Sequence, residues 1–179
     1  MVYIFLADGF EEIEALTVVD LLRRASISIA MVSITGDREV TGAHQIKVAS
    51  DLLFEEADYS DARMLVLPGG LPGTDNLLAH KGLDGLLKEF SQMGRTLAAI
   101  CAAPMVLAAA GVLEGKKATI FTGMENKLAG AKYKKDTVVV DGKIITSKGP
   151  GTAMEFALTL VEIIRGRAIA STLKKDLIY

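Results

Sequence analysis

The chain has little cysteine and histidine, and it lacks the usual signatures of bound cofactors. A single cysteine, Cys101, occurs among 179 residues, which excludes an internal disulfide and a disulfide-stapled secreted fold. Two distant histidines, His44 and His80, are too few with one cysteine for a closed zinc site, so we expect no metal. No phosphate-binding Gly-x-x-x-x-Gly-Lys-Ser/Thr loop and no Gly-x-Gly-x-x-Gly fingerprint occur, so we expect no cofactor.

An excess of one charge sign and a long apolar run are also missing. Twenty Lys and Arg face 22 Asp and Glu, a formal net charge of −2, which does not indicate a basic nucleic-acid interface. The apolar stretch 2–7 is too short for a membrane span or a signal peptide's apolar region, and no basic leader precedes it. We therefore expect a cytoplasmic protein with no nucleic-acid or membrane partner.

Short apolar runs alternate with longer helical stretches along the chain. Five runs predict buried strands, at 2–7, 28–34, 64–67, 96–100 and 118–121. Two further strands, 138–140 and 143–146, flank Asp141-Gly142, a turn typical of tight hairpins. Helices are predicted at about 11–25, 74–93, 101–111 and from the N-cap residue Thr152 onward. Strands alternating with helices predict one α/β domain over 1–179, with a parallel sheet covered on both faces.

The first predicted helix is apolar almost all round, and its acids cluster at its start. A helix of this kind must be covered on more than one side, which indicates either a dimer contact or cover by other parts of the same chain. Glu11, Glu12 and Glu14 have a simple explanation as surface acids that complement the helix dipole. Glu14 is also on the side of the sheet where Cys101 is expected.

Cys101 falls at the junction between a predicted strand and a predicted helix. Its neighbours Ala99, Ala102 and Ala103 are small, as at the crowded nucleophile elbow of hydrolases. A helix N-terminus beside the thiol would lower its pKa. The alternative is a buried structural cysteine that behaves as a small apolar side chain.

A cysteine nucleophile usually works with a base, and few bases are available here. Ala102, not histidine, follows Cys101, and His80 lies in a polar stretch that indicates a surface position. His44 lies in an irregular region where nothing local requires it at the site. Glu14 remains: if protonated, it could donate a hydrogen bond to the thiolate, separate the two pKa values and relay a proton.

Four segments resemble the ThiJ/PfpI family, in the branch that contains the Parkinson-disease-associated protein deglycase and its bacterial relatives. They occur in family order over essentially the whole chain: Gly9-Phe10-Glu11-Glu12-Ile13-Glu14, Val66-Leu67-Pro68-Gly69-Gly70, Ala99-Ile100-Cys101-Ala102-Ala103-Pro104 and Thr146-Ser147-Lys148-Gly149-Pro150-Gly151-Thr152. The resemblance implies a flavodoxin-like fold of the class I glutamine amidotransferase type, with a parallel sheet sandwiched by helices. It also implies a homodimer.

The resemblance assigns roles to particular residues. It implies that Cys101 is the nucleophile and Glu14 its partner carboxyl, and that the backbone N–H groups of Gly70 and Ala102 form an oxyanion site. An anion or substrate pocket would be lined by Gly69, His44 and, from the second subunit, Arg24.

The chain departs from relatives at three positions. Phe121 stands where some relatives carry a histidine near the cysteine, and His44 stands where some carry an arginine. Ala102 stands where another branch has a histidine. Glu14 is then the sole evident proton carrier.

These residues and the resemblance lead to three alternative hypotheses for the function. The first is a cysteine-dependent glyoxalase- or deglycase-type hydrolase, acting on a small carbonyl substrate such as a dicarbonyl or its adducts. The second is a non-enzymatic redox sensor or chaperone-like stress protein that acts through oxidation of Cys101. The third is an α/β scaffold with a buried thiol and no catalytic role.

Overall fold

A seven-stranded mixed sheet forms the centre of the molecule. A computed structural model describes residues 1–179. The sheet contains β1 (Val2–Leu6), β2 (Ile29–Ser33), β5 (Leu52–Leu53), β6 (Met64–Leu67), β7 (Thr96–Ile100), β10 (Val138–Asp141) and β11 (Ile144–Ser147). Their order is β10-β11-β7-β6-β1-β2-β5, and only β10 runs antiparallel to its neighbour. Two small two-stranded sheets stand apart, formed by β3 (Glu39–Thr41) with β4 (Lys47–Ala49) and by β8 (Lys117–Ala118) with β9 (Lys132–Tyr133).

Six α-helices cover the sheet: α1 (Glu12–Arg24), α2 (Gly73–Ala79), α3 (Lys81–Gln92), α4 (Pro104–Ala109), α5 (Ala153–Arg165) and α6 (Arg167–Asp176). Two predicted helices are each divided. The stretch 74–93 breaks at His80, whose backbone is extended and whose ring nitrogen Nδ1 caps α3 by accepting the Leu83 N–H. The last helix breaks at Gly166, where φ is +87°. Thr152 lies at the N-cap position of α5 but makes no side-chain cap hydrogen bond.

The parallel strands are apolar on both faces because helices cover both faces. Every residue of β1, β2, β6 and β7 is buried, as expected for a parallel sheet. The register pairs Ile4 with Val66 and Leu67 with Ala99. The segments that follow β1, β6 and β7 therefore emerge side by side at one edge of the sheet, where ligand sites of such folds lie.

One predicted strand is misplaced. Residues 118–121 do not join the main sheet: only Lys117–Ala118 is a strand, and it pairs with β9. The strand that lies beside β7 is instead β11, which pairs with it in parallel. The strand ends before Thr119, whose N–H donates to the Thr146 hydroxyl oxygen at 2.9 Å. The chain then turns toward Cys101. The Asp141-Gly142 hairpin, by contrast, is present as predicted.

Helix α1 is covered largely by its own chain. It packs against α5, and Ala15, Val18 and Leu22 are buried, so much of its apolar surface has a partner within the chain. Ile13 is 56% exposed and has no cover from its own chain over that part of its surface. No helix of the structure combines the length and the apolarity needed to cross a membrane.

Candidate active site at Cys101

Cys101 lies on a strained turn between β7 and α4. Its φ is +63°, a region in which a non-glycine residue costs about 1–3 kcal/mol and which is typical of functional sites. Hydrogen bonds hold the turn from both sides: the Cys101 N–H donates to the Ser147 carbonyl and its carbonyl accepts from the Phe121 N–H, each at 2.9 Å. The elbow predicted from the small neighbours is thus present, with 9% of the cysteine exposed.

Glu14 is buried beside this turn. It lies in the first turn of α1 and is 0% exposed, so the interpretation of this residue as a surface acid is wrong. One carboxyl oxygen, Oε2, accepts the Gly69 N–H at 2.7 Å. The other, Oε1, is buried and has no hydrogen-bond partner in the chain. An unpartnered buried oxygen is costly, and this one is available to exchange a proton at the site.

Gly69 keeps the cysteine and the glutamate in contact. A Cβ at position 69 would lie 2.5 Å from Cys101 Cβ, 2.8 Å from Glu14 Oε2 and 3.0 Å from Cys101 Sγ. No side chain fits there, because real Cβ atoms do not approach other atoms so closely. At Gly70, φ is +90°, which suits glycine and turns the backbone toward the sulfur.

Two backbone N–H groups face the sulfur, those of Gly70 and Ala102, and both act to lower its pKa. They are the two positions that the resemblance assigned to an oxyanion site. In this structure their N–H groups are directed at Sγ, so an oxygen bound next to the sulfur would also lie near them. Their role in stabilising such an oxygen remains a prediction.

The titration of the pair differs from the expectation. Burial raises the pKa of Glu14 from its ordinary 4.5 to about 7. Burial, together with the charge of Glu14, raises the pKa of the Cys101 thiol to about 12, more than the two N–H groups lower it. The expected lowering by a helix N-terminus fails because α4 is only six residues long and desolvation dominates. The pair is therefore a neutral thiol beside a carboxyl that titrates near neutrality.

His44 is not in contact with Cys101 but pairs with Glu12. Its Nδ1 lies 2.8 Å from Glu12 Oε2, and its backbone N–H donates to Glu12 Oε1 at 2.7 Å. The bond to Glu12 raises the pKa of His44. Burial would raise the pKa of Glu12, but hydrogen bonds from His44 and the backbone outweigh it, and the net shift is downward.

The remaining predicted residues lie elsewhere. Arg24 is at the far end of α1, ten residues or about 15 Å along the axis from Glu14, where its Nε donates to Asp20 at 2.7 Å. His80 is structural, because its Nδ1 accepts the Leu83 N–H at the start of α3 and its ring contacts Phe54. Phe121 is 44% exposed and lies over Gly149, where a Cβ would be 3.2 Å from its ring.

Sequence reasoning missed two participants. The Ser147 carbonyl anchors the Cys101 turn, and Glu11, which is 8% exposed, donates its N–H to the Gly69 carbonyl at 2.9 Å. Both residues lie in the segments that resemble the family. Their contribution is made by the backbone, which residue type alone does not reveal.

The strand order and the strained cysteine at the carboxyl edge of the sheet define a flavodoxin-like α/β protein with a nucleophile-elbow cysteine. Residues 1–163 match the model of the DJ-1/PfpI family, and the chain belongs to that family.

Several known proteins resemble the chain over most of its length. DJ-1 homolog B of Arabidopsis thaliana is 39% identical over 95% of this chain, which spans only 39% of that protein. The Parkinson disease protein 7 homolog of Danio rerio is 36% identical, with 98% of this chain and 95% of the relative covered. The glutathione-independent glyoxalase DJR-1.2 of Caenorhabditis elegans is 33% identical, with 93% and 89% covered.

Solved structures show the same architecture. Oxidized DJ-1 of Toxoplasma gondii superposes with a TM-score of 0.95 at 32% identity, covering 99% of this chain and 97% of that one. DJ-1beta of Drosophila melanogaster also gives a TM-score of 0.95, at 36% identity, covering 99% and 96%. The predicted fold class is confirmed.

Proposed function

We propose that this chain is a cysteine-dependent hydrolase of the glyoxalase or deglycase type, acting on small dicarbonyls or their adducts. The observation that carries the proposal is the contact between Cys101 on its strained turn and Glu14, a buried carboxyl with a pKa of about 7. A general base is most effective when its pKa lies near the working pH. A relative of similar length is named a glutathione-independent glyoxalase.

The reaction begins with a neutral thiol. The Glu14 carboxylate takes the thiol proton as Sγ attacks the aldehyde carbon of a dicarbonyl such as methylglyoxal, forming the C–S bond. The carbonyl π electrons move onto oxygen, close to the N–H groups of Gly70 and Ala102. Glu14 then returns its proton to this oxygen and gives a hemithioacetal.

The remaining steps need only Glu14 and water. Glu14 removes the proton from the hemithioacetal carbon, and the resulting enediol is protonated at the neighbouring carbon to give a thioester of the hydroxy acid. Water hydrolyses the thioester, releases the acid and restores the thiol. The net change adds one water to methylglyoxal to form lactate, without an external oxidant or reductant.

The test is lactate formation from methylglyoxal in the absence of glutathione. The wild-type chain should produce lactate, and the Cys101→Ser variant should lose at least about a thousandfold in kcat/KM, because the nucleophile itself is removed. Unchanged turnover in Cys101→Ser, with its fold verified by circular dichroism, would contradict the proposal.

We also propose that the working unit is a homodimer. Two cavities of about 350 Å³ lie near the end of β1, and neither is lined by Cys101, so a second copy could supply a missing wall. Arg24 lies about 15 Å along α1 from Glu14, so in a dimer it would contact an anionic substrate at the Cys101 site of the partner subunit. Sedimentation of the wild-type chain tests this, and a monomer at micromolar concentration would contradict it.

Two further expectations stay proposals. Residues 1–179 form one domain, since the same sheet carries the apolar cores on both of its faces. A cytoplasmic location fits a chain whose only cysteine is free, because reducing compartments keep such thiols reduced.

Redox sensing is the second candidate function. The unpartnered Glu14 Oε1 could hydrogen-bond an oxidised sulfur at Cys101, which favours a stable sulfinic acid. Mild peroxide should then add about 32 Da, confined to Cys101. Oxidation spread over the seven methionines instead would count against a sensor.

A further inference from the structure

Three side chains converge beside the start of α1, outside the Cys101–Glu14 pair. They are Glu11, Glu12 and His44, and a carboxylate oxygen from each glutamate and a ring nitrogen of His44 all lie within 4.8 Å of one another. The His44 Nδ1 atom is 2.8 Å from Glu12 Oε2 and 3.7 Å from Glu11 Oε2. Since residue 44 is more than thirty positions from the glutamates, only the fold brings this cluster together.

The two carboxylates are buried, and one of them is poorly compensated. Glu11 is 8% exposed and Glu12 is 4% exposed. Glu12 Oε1 accepts the N–H groups of His44 and Ile46. The Glu11 carboxylate accepts no hydrogen bond from the chain, and its one ion-pair neighbour is the His44 ring, with Nδ1 at 3.7 Å from Oε2. A largely buried carboxylate that accepts no hydrogen bond is unfavourable, and the single imidazole of His44 is shared between Glu11 and Glu12, so a cation bound among the three side chains would compensate this charge better.

We propose that Glu11, Glu12 and His44 bind a divalent transition-metal ion, for which Zn²⁺ has the best fit. Two carboxylates carry a charge of −2 when ionised, which one divalent ion neutralises. Tetrahedral zinc with bonds of about 2.1 Å holds its ligand atoms about 3.4 Å apart. The two distances from His44 Nδ1, 2.8 and 3.7 Å, lie on either side of that spacing, and all three ligand atoms lie within 4.8 Å of one another. Side-chain movement that brings the two carboxylates together would therefore close the site.

The ligand chemistry selects among the divalent ions. A mixed set of imidazole nitrogen and carboxylate oxygen suits zinc and its neighbours, whereas calcium takes six to eight oxygens and magnesium keeps a near-octahedral oxygen shell. Three protein ligands leave a fourth position for water, as in open zinc sites. The exposed side of the cluster, where His44 is 67% exposed, gives that water and the ion access from solvent.

The site is separate from the proposed chemistry, and it lies next to it. The backbone N–H of Glu11 donates to the Gly69 carbonyl, and the Gly69 N–H holds Glu14. We expected no metal because the chain has few cysteines and histidines. The two glutamates become candidate ligands only because the fold brings them to His44. The proposal does not depend on hydrolase activity, because neither Cys101 nor Glu14 is a ligand.

The test must distinguish the proposed site from two alternatives, a competing zinc ligand and a competing cation. The Cys101 thiol is itself a soft ligand for zinc, so the measurements use the Cys101→Ser chain as the reference protein. The second rival is a guanidinium, since Arg24 of another copy could supply the cation to the two carboxylates. The Cys101→Ser, Arg24→Gln double variant isolates that case.

The experiment is a titration of the metal-free Cys101→Ser chain with Co²⁺, a visible-light probe for zinc sites, followed by displacement with Zn²⁺. We expect one Co²⁺ per chain, visible absorption bands and complete displacement by Zn²⁺. Glu11→Gln and His44→Arg should each weaken Co²⁺ binding by more than about tenfold, since even outer-shell changes cost that much. His44→Arg keeps a cation beside Glu12, so the fold should survive. His80→Asn, which retains a helix cap, should bind like the reference.

Three results would overturn the proposal. One is the absence of saturable Co²⁺ binding in the Cys101→Ser chain. Another is binding that persists in a correctly folded His44→Arg or Glu11→Gln variant, which would place the ion elsewhere. The third is binding that appears only in the Arg24→Gln double variant, which would identify the guanidinium of another copy as the resident cation.

Discussion

Glu12 and Glu14 are the same residue type, two positions apart on one helix, and their pKa values shift in opposite directions. Glu14 is buried beside Cys101, where desolvation raises its pKa to about 7. Glu12 is also buried, but hydrogen bonds from His44 and the backbone lower its pKa. The number of hydrogen bonds that each carboxyl accepts decides whether its pKa is raised or lowered. One carboxyl is thereby suited to exchange protons and its neighbour to carry a permanent charge.

Activity offers the largest expected difference. Glu14→Gln cannot take the thiol proton, so kcat/KM for methylglyoxal should fall by about 100- to 10,000-fold, the range for loss of a general base. Glu89→Gln, at an exposed position on α3, is the matched control and should match the wild type. A Glu14→Gln variant with more than half of wild-type activity would show that the raised pKa serves no proton transfer.

Stability should move in opposite directions for the two glutamates at pH 8. The pKa of Glu14 is raised on folding, so its contribution to stability is complete below about 4.5 and is lost as pH rises through about 7. At pH 8 the buried charge therefore costs about 3 kcal/mol, and Glu14→Gln should raise the free energy of unfolding by up to that amount. Glu12→Gln weakens charge-assisted hydrogen bonds and should lower it by about 1–2 kcal/mol.

Urea unfolding at pH 8 and again at pH 5 measures both effects, with metal removed by EDTA. The stabilisation by Glu14→Gln should shrink at pH 5, where the wild-type carboxyl is protonated in the folded state. A stabilisation that is equal at the two pH values would contradict burial as the cause of the raised pKa.

The absence of a side chain at Gly69 lets Glu14 lie against Cys101. A methyl group at this position should displace both residues. Gly69→Ala places its Cβ 2.5 Å from Cys101 Cβ and should destabilise the chain by about 1–3 kcal/mol, as overpacking does. Gly85→Ala, with nothing within 4 Å of its Cβ on helix α3, should instead stabilise by up to about 1 kcal/mol. Thermal melts of the two variants at equal concentration compare them directly, and equal melting temperatures would contradict the packing argument.

The pH dependence of the reaction tests the role of Glu14 without any substitution. Because the base form of Glu14 must be ionised, kcat/KM should rise about tenfold per pH unit below 7 and level off above about 7. Stopped assays between pH 5 and 9 on EDTA-treated protein measure this profile. A rate that is constant over that range would mean that Glu14 does not act as the base.

Much of the fold could be predicted because it rests on local pattern. Apolar runs bounded by turn residues placed Met64–Leu67 and Thr96–Ile100 within their observed bounds, and Asp141-Gly142 identified the hairpin. The strand predicted at 118–121 was wrong because an apolar run predicts burial without specifying a strand. Thr119 and Ile120 are fully buried, but their hydrogen bonds do not continue the sheet.

The sequence by itself determined most of the sheet and the turn at Cys101, since these depend on residue size and on the strand-to-helix boundary at this residue. Only the tertiary structure decided how the acids at the start of α1 behave. Burial beside Cys101 raised the pKa of Glu14 to about 7, and the fold brought Glu11 and Glu12 to His44, because desolvation and hydrogen bonding are set by groups distant in sequence. The pKa of the thiol was decided in the same way: burial beside a carboxyl outweighed a short helix.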